Sequence, residues 1–239
     1  MPNFTDRSHQ SELMDDLSLG NDALRQNLEE LETINTLLGG YQVVLDALQS
    51  LYDKKTLNRA QPTQITDIGS GGGDTLRAIH RWAAKRQLPV QLTGVDANAF
   101  MIDFATDKAR PFPGIHFAQA DIFAPEFAQY SSDVFVCSLF CHHFTEKELI
   151  RLFTTLAGQC RKAIIVNDLH RHWFAYYSIK WLTRLFNGSY LVQHDAPLSV
   201  WRAFVRQDLD RLMAQCGFSN YELRWRWAFR WQLIIWKTD

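Results

Sequence analysis

The densest chemistry in this sequence is a run of glycines bounded by acids, Asp67-Ile68-Gly69-Ser70-Gly71-Gly72-Gly73-Asp74. A short apolar run, Gln64 to Ile68, leads into it, and a helical pattern, Thr75 to Arg86, leads out. The loop therefore sits where a strand hands over to a helix. Glycines there let the chain turn tightly and let a ligand approach the main chain. Read from Gly69, the dinucleotide pattern G-x-G-x-x-G needs a glycine where Asp74 stands. A carboxylate at a helix N-terminus repels a pyrophosphate, and the phosphate loop G-x-x-x-x-G-K-[ST] is absent. The loop suits a ligand without phosphates. A second group, His142, His143, Asp168, His170 and His172, gathers imidazoles around one carboxylate. Imidazole titrates near neutrality and can take a proton from a hydroxyl.

The surrounding pattern alternates short strands with helices. Strands are predicted over 64–68, 89–95, 115–118, 133–140 and 162–167, and helices over 75–86, 100–108 and 146–160. Such a βαβ series makes a parallel sheet with right-handed crossovers. The continuous apolar run from Asp133 to Phe140 reads as a central strand covered on both faces. Two strands, 221–227 and 230–236, are close enough to pair antiparallel, and a helix over 206–215 precedes them. Ahead of the series, residues 1–18 are polar and without period and read as a flexible arm. Leu24, Leu28, Leu31, Ile34 and Leu38 form an apolar stripe capped by Asn21 or Asp22 and stopped by Gly39-Gly40. A second helix follows from about Tyr41, with Val44, Leu45, Leu48 and Leu51 inward. After Asp168 comes an aromatic helix from Trp173 to Phe186, while Leu191 to Ser199 reads as a loop and His172 as a helix-start residue.

With these landmarks in place, Asp67-x-Gly69-x-Gly71-x-Gly73 is similar to motif I of the class I S-adenosylmethionine-dependent methyltransferases, in particular their small-molecule, ubiquinone/menaquinone-methyltransferase-like members. Thr93-Gly94-Val95-Asp96, Ala120-Asp121-Ile122, Asp133-Val134-Phe135-Val136 and Phe140-Cys141-His142-His143-Phe144 follow in the family's order. The resemblance covers roughly residues 60 to 237. It implies a Rossmann-like α/β sheet of seven strands, six parallel and one antiparallel, with an N-terminal helical extension and an inserted helical cap. It also implies S-adenosylmethionine as cofactor. Asp96 would take the ribose hydroxyls and Asp121 would meet the adenine amino group, with Asp67, Gly69, Ser70, Gly71, Gly73, Ala97, Ile122 and Ser138 completing the cofactor set. His142, His143, Asp168 and His170, just past the fourth and fifth strands, are the catalytic candidates: one histidine as base, Asp168 orienting it or binding the acceptor. Residues 1–58 form an arm and helical lid, and residues 59–239 the methyltransferase domain, with a cap insertion at about 170–205.

Composition sets the outer bounds. The chain has 239 residues, enough for one substantial core, and a formal net charge of −1 with no basic run, so a nucleic-acid partner is not expected. Apolar stretches such as Ala163 to Val166 are too short to span a bilayer, and the first ten residues do not read as a signal peptide, so a cytoplasmic location is expected. Four cysteines without a CxxC pair suggest reduced thiols rather than a disulfide or zinc site. Metal chemistry is not expected, since strand four is followed by Cys-His-His rather than an acid; His170, His172 and His194 could meet a metal only by chance. Eight tryptophans, mostly in the second half, suggest a broad apolar surface. The leading expectation is methylation of a phenol oxygen on a small aromatic acceptor, as in secondary metabolism. Carbon methylation of a quinone or polyketide ring and a non-catalytic cofactor-binding protein are the alternatives. The sequence leaves the oligomeric state open.

Overall fold

Strand alternation explains how the sheet is covered. In β4 (Ser132–Ser138), Val134 and Val136 join one apolar cluster while Phe135 and Cys137 join the other. Successive side chains leave opposite faces of a strand, so a central strand must be apolar throughout. The structure is a computed structural model and describes residues 2–237; Met1 and residues 238–239, the outer ends of the two expected units, lie outside the described residues. The sheet contains β1 (Thr63–Ile68), β2 (Val90–Asp96), β3 (Ile115–Gln119), β4, β5 (Cys160–Leu169), β6 (Tyr221–Arg226) and β7 (Arg230–Trp236). Their order is β3-β2-β1-β4-β5-β7-β6. β7 pairs antiparallel with both β5 and β6, and the remaining pairs are parallel. The expected count of six parallel strands and one antiparallel holds. The order reverses between β1 and β4, where an open α/β sheet leaves a crevice at the strands' carboxyl ends.

Eight helices complete the described fold: α1 (Asp22–Leu37), α2 (Gly40–Asp53), α3 (Asp74–Lys85), α4 (Ala99–Ala109), α5 (Glu146–Gln159), α6 (Trp173–Leu185), α7 (Tyr190–Arg202) and α8 (Arg206–Gln215). Local chemistry sets several of their starts. Asn21 caps α1 by accepting from the Leu24 amide, Asn98 caps α4, and Thr145 with Glu148 forms a capping box on α5. His172 caps α6 through Nδ1, as expected of a helix-start residue. Leu48, Leu51, Ile79 and Trp82 bury one face of the sheet with α2 and α3; Phe153, Leu156, Leu209 and Met213 bury the other with α5 and α8. All four cysteines are free. No helix among the described residues is long and apolar enough to cross a membrane.

Two expectations fail, each for a tertiary reason. The N-terminal segment is not a loose arm but a strap across the sheet's carboxyl edge. Arg7 donates to the carbonyls of Arg202 (2.7 Å), His142 and Phe144 (both 3.0 Å), and Arg171 donates to the carbonyls of Phe4 and Thr5. A segment held by polar contacts to distant carbonyls carries no apolar period. Residues 191–199 are not a loop but most of α7, whose Leu191, Val192, Leu198 and Val200 are buried. Pro197 and the His194-Asp195 pair break the helical pattern, yet Asp195 turns inward and accepts from the Leu13 and Met14 amides at 2.9 and 3.1 Å. Trp173, Trp181, Trp225 and Trp227 stand exposed.

Candidate active site

The glycine loop leaves β1 with Gly69, Gly71 and Gly73 at φ of 66°, 49° and 71°, a region that side-chain-bearing residues rarely adopt. A Cβ on Gly69 would sit 2.0 Å from the Phe140 ring, so glycine is required there twice over. From the end of β2, Asp96 accepts the Gly71 amide through Oδ2 and the Asn98 amide through Oδ1, both at 2.9 Å. Burial pushes the Asp96 carboxyl upward, partly opposed by these amides. Asp121 turns the chain after β3 by accepting the Phe123 amide at 2.8 Å. Gly69, Gly71, Asp96, Ala97, Asp121 and Ile122 line one cleft of about 860 Å³, within the usual small-molecule range of roughly 300–1,000 Å³. Close main chain and two carboxylates suit a nucleoside with a cationic, phosphate-free tail; a carboxylate can accept from hydroxyl and amino groups.

Four residues expected in the cofactor set lie outside this lining. Asp67 is buried beneath the loop, with Oδ1 unpartnered, and burial together with Asp74 and Asp96 pushes its carboxyl well above the usual range. Ser70 Oγ is buried without a partner. Gly73 shapes the loop, since a Cβ there would meet Phe117 at 2.6 Å. Ser138 is engaged by Asn167 Nδ2 at 2.9 Å. From the lid, Tyr41 donates to Asp74 at 2.7 Å and so ties α2 to the start of α3.

The catalytic candidates separate clearly. After β4, Leu139 takes a left-handed backbone (φ 53°) and Cys141–His143 form a short turn that lays His142 against the end of β5. His142 Nδ1 lies 2.7 Å from Asp168 Oδ1, and Asp168 also accepts the His142 and Leu169 amides. Burial alone would push the Asp168 carboxyl up, but His142 and these hydrogen bonds outweigh it and hold it low. A buried ionised carboxylate on Nδ1 keeps the proton there and leaves Nε2 as the acceptor. His143 is engaged otherwise: its Nδ1 lies 2.6 Å from Asp15, which also binds Arg202 at 2.5 Å. The sequence-expected His170 is not part of this group. β5 ends at Leu169, and the His170 ring packs 5.1 Å from Trp231 while Nδ1 accepts from Trp225. His170 lines neither cavity, and burial with neighbouring His172 and Arg171 lowers it to about 4, too weak a base for the task.

A second cavity, of about 300 Å³, adjoins the first. Met14, Leu139, His142 and His143 line both. Leu31, Ile34 and Leu38 of α1 and Phe174, Ile179 and Leu182 of α6 form much of its apolar wall. α1 and α6 thus both wall this cavity. Polar residues in it that sequence reading missed are Glu12, Asn27, Asn35 and Arg230. Asn27 and Asn35 did leave a signal: with Leu31 they recur every fourth residue on the stripe that should be apolar. Glu12 sits with Oε1 3.6 Å from His142 Nε2, and burial pushes it up to about 7 against the pull of His143 and Arg202. Glu12, His142 and His143 hold three ligand-type atoms within 4.8 Å of one another. Arg202 Nη1 lies 3.5 Å from the same Glu12 oxygen and so puts a fixed positive charge beside this group.

Residues 65–162 match a family model described as a methyltransferase domain. No curated protein sequence matches the chain. Among solved structures, it is similar to magnesium protoporphyrin IX methyltransferase from Synechocystis PCC 6803 with bound SAH, at 17% identity and TM-score 0.53, covering 84% of each chain. It is similar to human N-acetylserotonin methyltransferase in complex with SAM, at 12% identity and TM-score 0.61, covering 91% of this chain and 56% of that one. It is also similar to the DszA carbon methyltransferase, at 13% identity and TM-score 0.61, covering 82% and 53%. The chain thus spans a little over half the length of the last two. Residues 65–162 thus carry a match to a methyltransferase domain, set in a seven-stranded Rossmann-like sheet of the fold these solved methyltransferases share.

Proposed function

We propose that the chain methylates an oxygen of a small aromatic acceptor, with His142 as general base and Asp168 as the residue that orients it. The observation that carries this reading is the meeting of two cavities, one lined by the glycine loop and its acids and one largely apolar, at His142. Flat apolar walls suit a planar ring. S-adenosylmethionine supplies an electrophilic methyl group on a positively charged sulfur. Gly69, Gly71, Asp96, Ala97, Asp121 and Ile122 would hold it, and strap residues such as Arg7 and Met14 line the same cleft. His142 Nε2 takes the proton of the acceptor hydroxyl, and the oxygen bonds the methyl carbon as the carbon–sulfur bond breaks. Asp168 stabilises the imidazolium that results, 2.7 Å away. Holding the two reactants together supplies much of the acceleration.

A carbon acceptor is the second reading. Deprotonating a phenol also activates its ring carbons, and a carbon methyltransferase shares the fold. Incubating the protein with S-adenosylmethionine and a panel of phenols, followed by mass spectrometry and NMR of the products, separates the outcomes. An ether methyl supports the first reading and a ring methyl the second. S-adenosylhomocysteine binding with no product across the panel would sink both and favour a non-catalytic cofactor-binding protein.

A further inference from the structure

The acceptor cavity contains a buried positive charge with no counter-ion in contact. Arg230 opens β7 and is only 2% exposed, yet it lines the cavity. Its Nη2 donates to Asn35 Oδ1 at 2.8 Å, while Nε and Nη1 are buried without any partner. No carboxylate forms an ion pair with it among the described residues, and it is the only arginine or lysine among those that line this cavity. Gly40, at the start of α2, makes room for it: a Cβ there would stand 2.9 Å from both Arg230 Nη2 and Asn35 Oδ1. The Asn27 side chain, which also lines the cavity, has both amide atoms buried and unpartnered. Burying a guanidinium and leaving two of its donor nitrogens idle is strongly unfavourable unless something else engages them. A planar fork of donors matches a carboxylate in shape and charge.

We propose that Arg230 is a subsite for an oxyanion borne by the acceptor, a carboxylate or an enolised carbonyl. The acceptor is then an aromatic ring carrying a hydroxyl for His142 and an anionic oxygen group for Arg230. This rests on the reading of the second cavity as the acceptor site, but not on the chemistry performed there.

Three probes share a phenol hydroxyl and differ beside it: salicylate carries a carboxylate, salicylamide a neutral carbonyl, and phenol neither. Their binding to the full chain saturated with S-adenosylhomocysteine is measured by calorimetry for wild type, Arg230→Met and Arg230→Lys. Wild type should prefer salicylate to phenol by at least about tenfold, with salicylamide nearer phenol because it carries no charge beside the hydroxyl. Arg230→Met should erase the preference and leave phenol and S-adenosylhomocysteine affinities unchanged; Arg230→Lys should keep part of it. Without ligand, Arg230→Met should unfold at or above the wild-type temperature, since it removes a buried charge that no carboxylate contacts. The proposal is overturned if wild type shows no preference, if Arg230→Met retains it, or if Arg230→Met unfolds earlier and loses phenol binding, which marks a purely structural arginine. Retained salicylate preference without any methylated product would sink the functional reading and leave the subsite standing.

Discussion

At the scale of single residues, the structure assigns different work to side chains that look alike in the sequence. His142, His143 and His170 are all imidazoles near strand ends, but only His142 has a buried carboxylate on Nδ1 and faces both cavities. Replacing His142 by Ala should lower kcat roughly a hundred- to ten-thousandfold while S-adenosylhomocysteine affinity hardly changes. Asp168→Asn should also lower kcat, because an amide no longer enforces the Nδ1–H tautomer. His170→Ala should stay within about tenfold, below about 1.4 kcal/mol of barrier. Steady-state rates and calorimetry check all three; if His142→Ala also stayed within tenfold, the base assignment would fall. Glu12 makes a separate prediction about pH. Its buried carboxyl holds a proton up to about 7, above the ordinary glutamate value of 4.5, so the folded chain binds that proton more tightly than the unfolded one. Its penalty is absent below the ordinary value and grows as pH rises towards 7, destabilising the fold by an order of 1–3 kcal/mol. Thermal unfolding should therefore show wild type losing stability from pH 5 to pH 8 relative to Glu12→Gln, with the two alike at the acid end. A constant difference across that range would contradict this.

At the scale of elements, the strap decides how closed the site is. Residues 5–15 contribute Thr5, Arg7, Ser8, Met14 and Asp15 to the larger cleft, and Glu12 and Met14 to the smaller cavity. Arg7 and Arg171 pin it by hydrogen bonds to main-chain carbonyls, and Asp195 pins it from α7. Most of the buried apolar core belongs to the sheet and its flanking helices, not to this segment. Deleting residues 2–19 should leave a cooperatively folding protein but lower S-adenosylhomocysteine affinity more than about tenfold, because the cleft loses one wall and admits water. Turnover should fall further still, since the carboxylates on His143 and beside His142 go with it. Calorimetry and circular dichroism on the truncated chain test this. Wild-type affinity and rate from a folded truncation would remove the strap from the site.

At the scale of the whole molecule, the fold brings the ends of β1, β2, β4 and β5 to one edge, and that edge selects the cofactor. The chain should bind S-adenosylhomocysteine at roughly micromolar Kd, about −8 kcal/mol, and should not bind NADH. Asp74 stands where a pyrophosphate would need an uncharged helix start. Asp96→Ala should weaken S-adenosylhomocysteine binding at least about tenfold, since the ligand loses a charged acceptor and the Gly71 amide loses its partner. Calorimetry with both ligands decides it, and NADH binding without S-adenosylhomocysteine binding would overturn the cofactor assignment.

Features local to the chain are legible in the amino-acid sequence by itself. The glycine loop from Gly69 to Gly73 and the strand–helix alternation announce their geometry within a few residues, because turn chemistry and apolar period are local properties. From these, with the family resemblance, follow the seven-stranded sheet and the expectation that Asp96 and Asp121 face a ligand. The choice among histidines is not legible there, since it depends on the His142–Asp168 contact across 26 residues and on where β5 ends. Nor are the strap and α7: the strap is held by hydrogen bonds between residues more than a hundred positions apart, and α7 forms around an inward Asp195 that the strap satisfies. In the sequence Arg230 is only the first residue of a predicted strand. Only the packing of α1 and α2 over β7 makes it a buried, half-partnered cation, because burial is a property of the assembled fold and not of the residue.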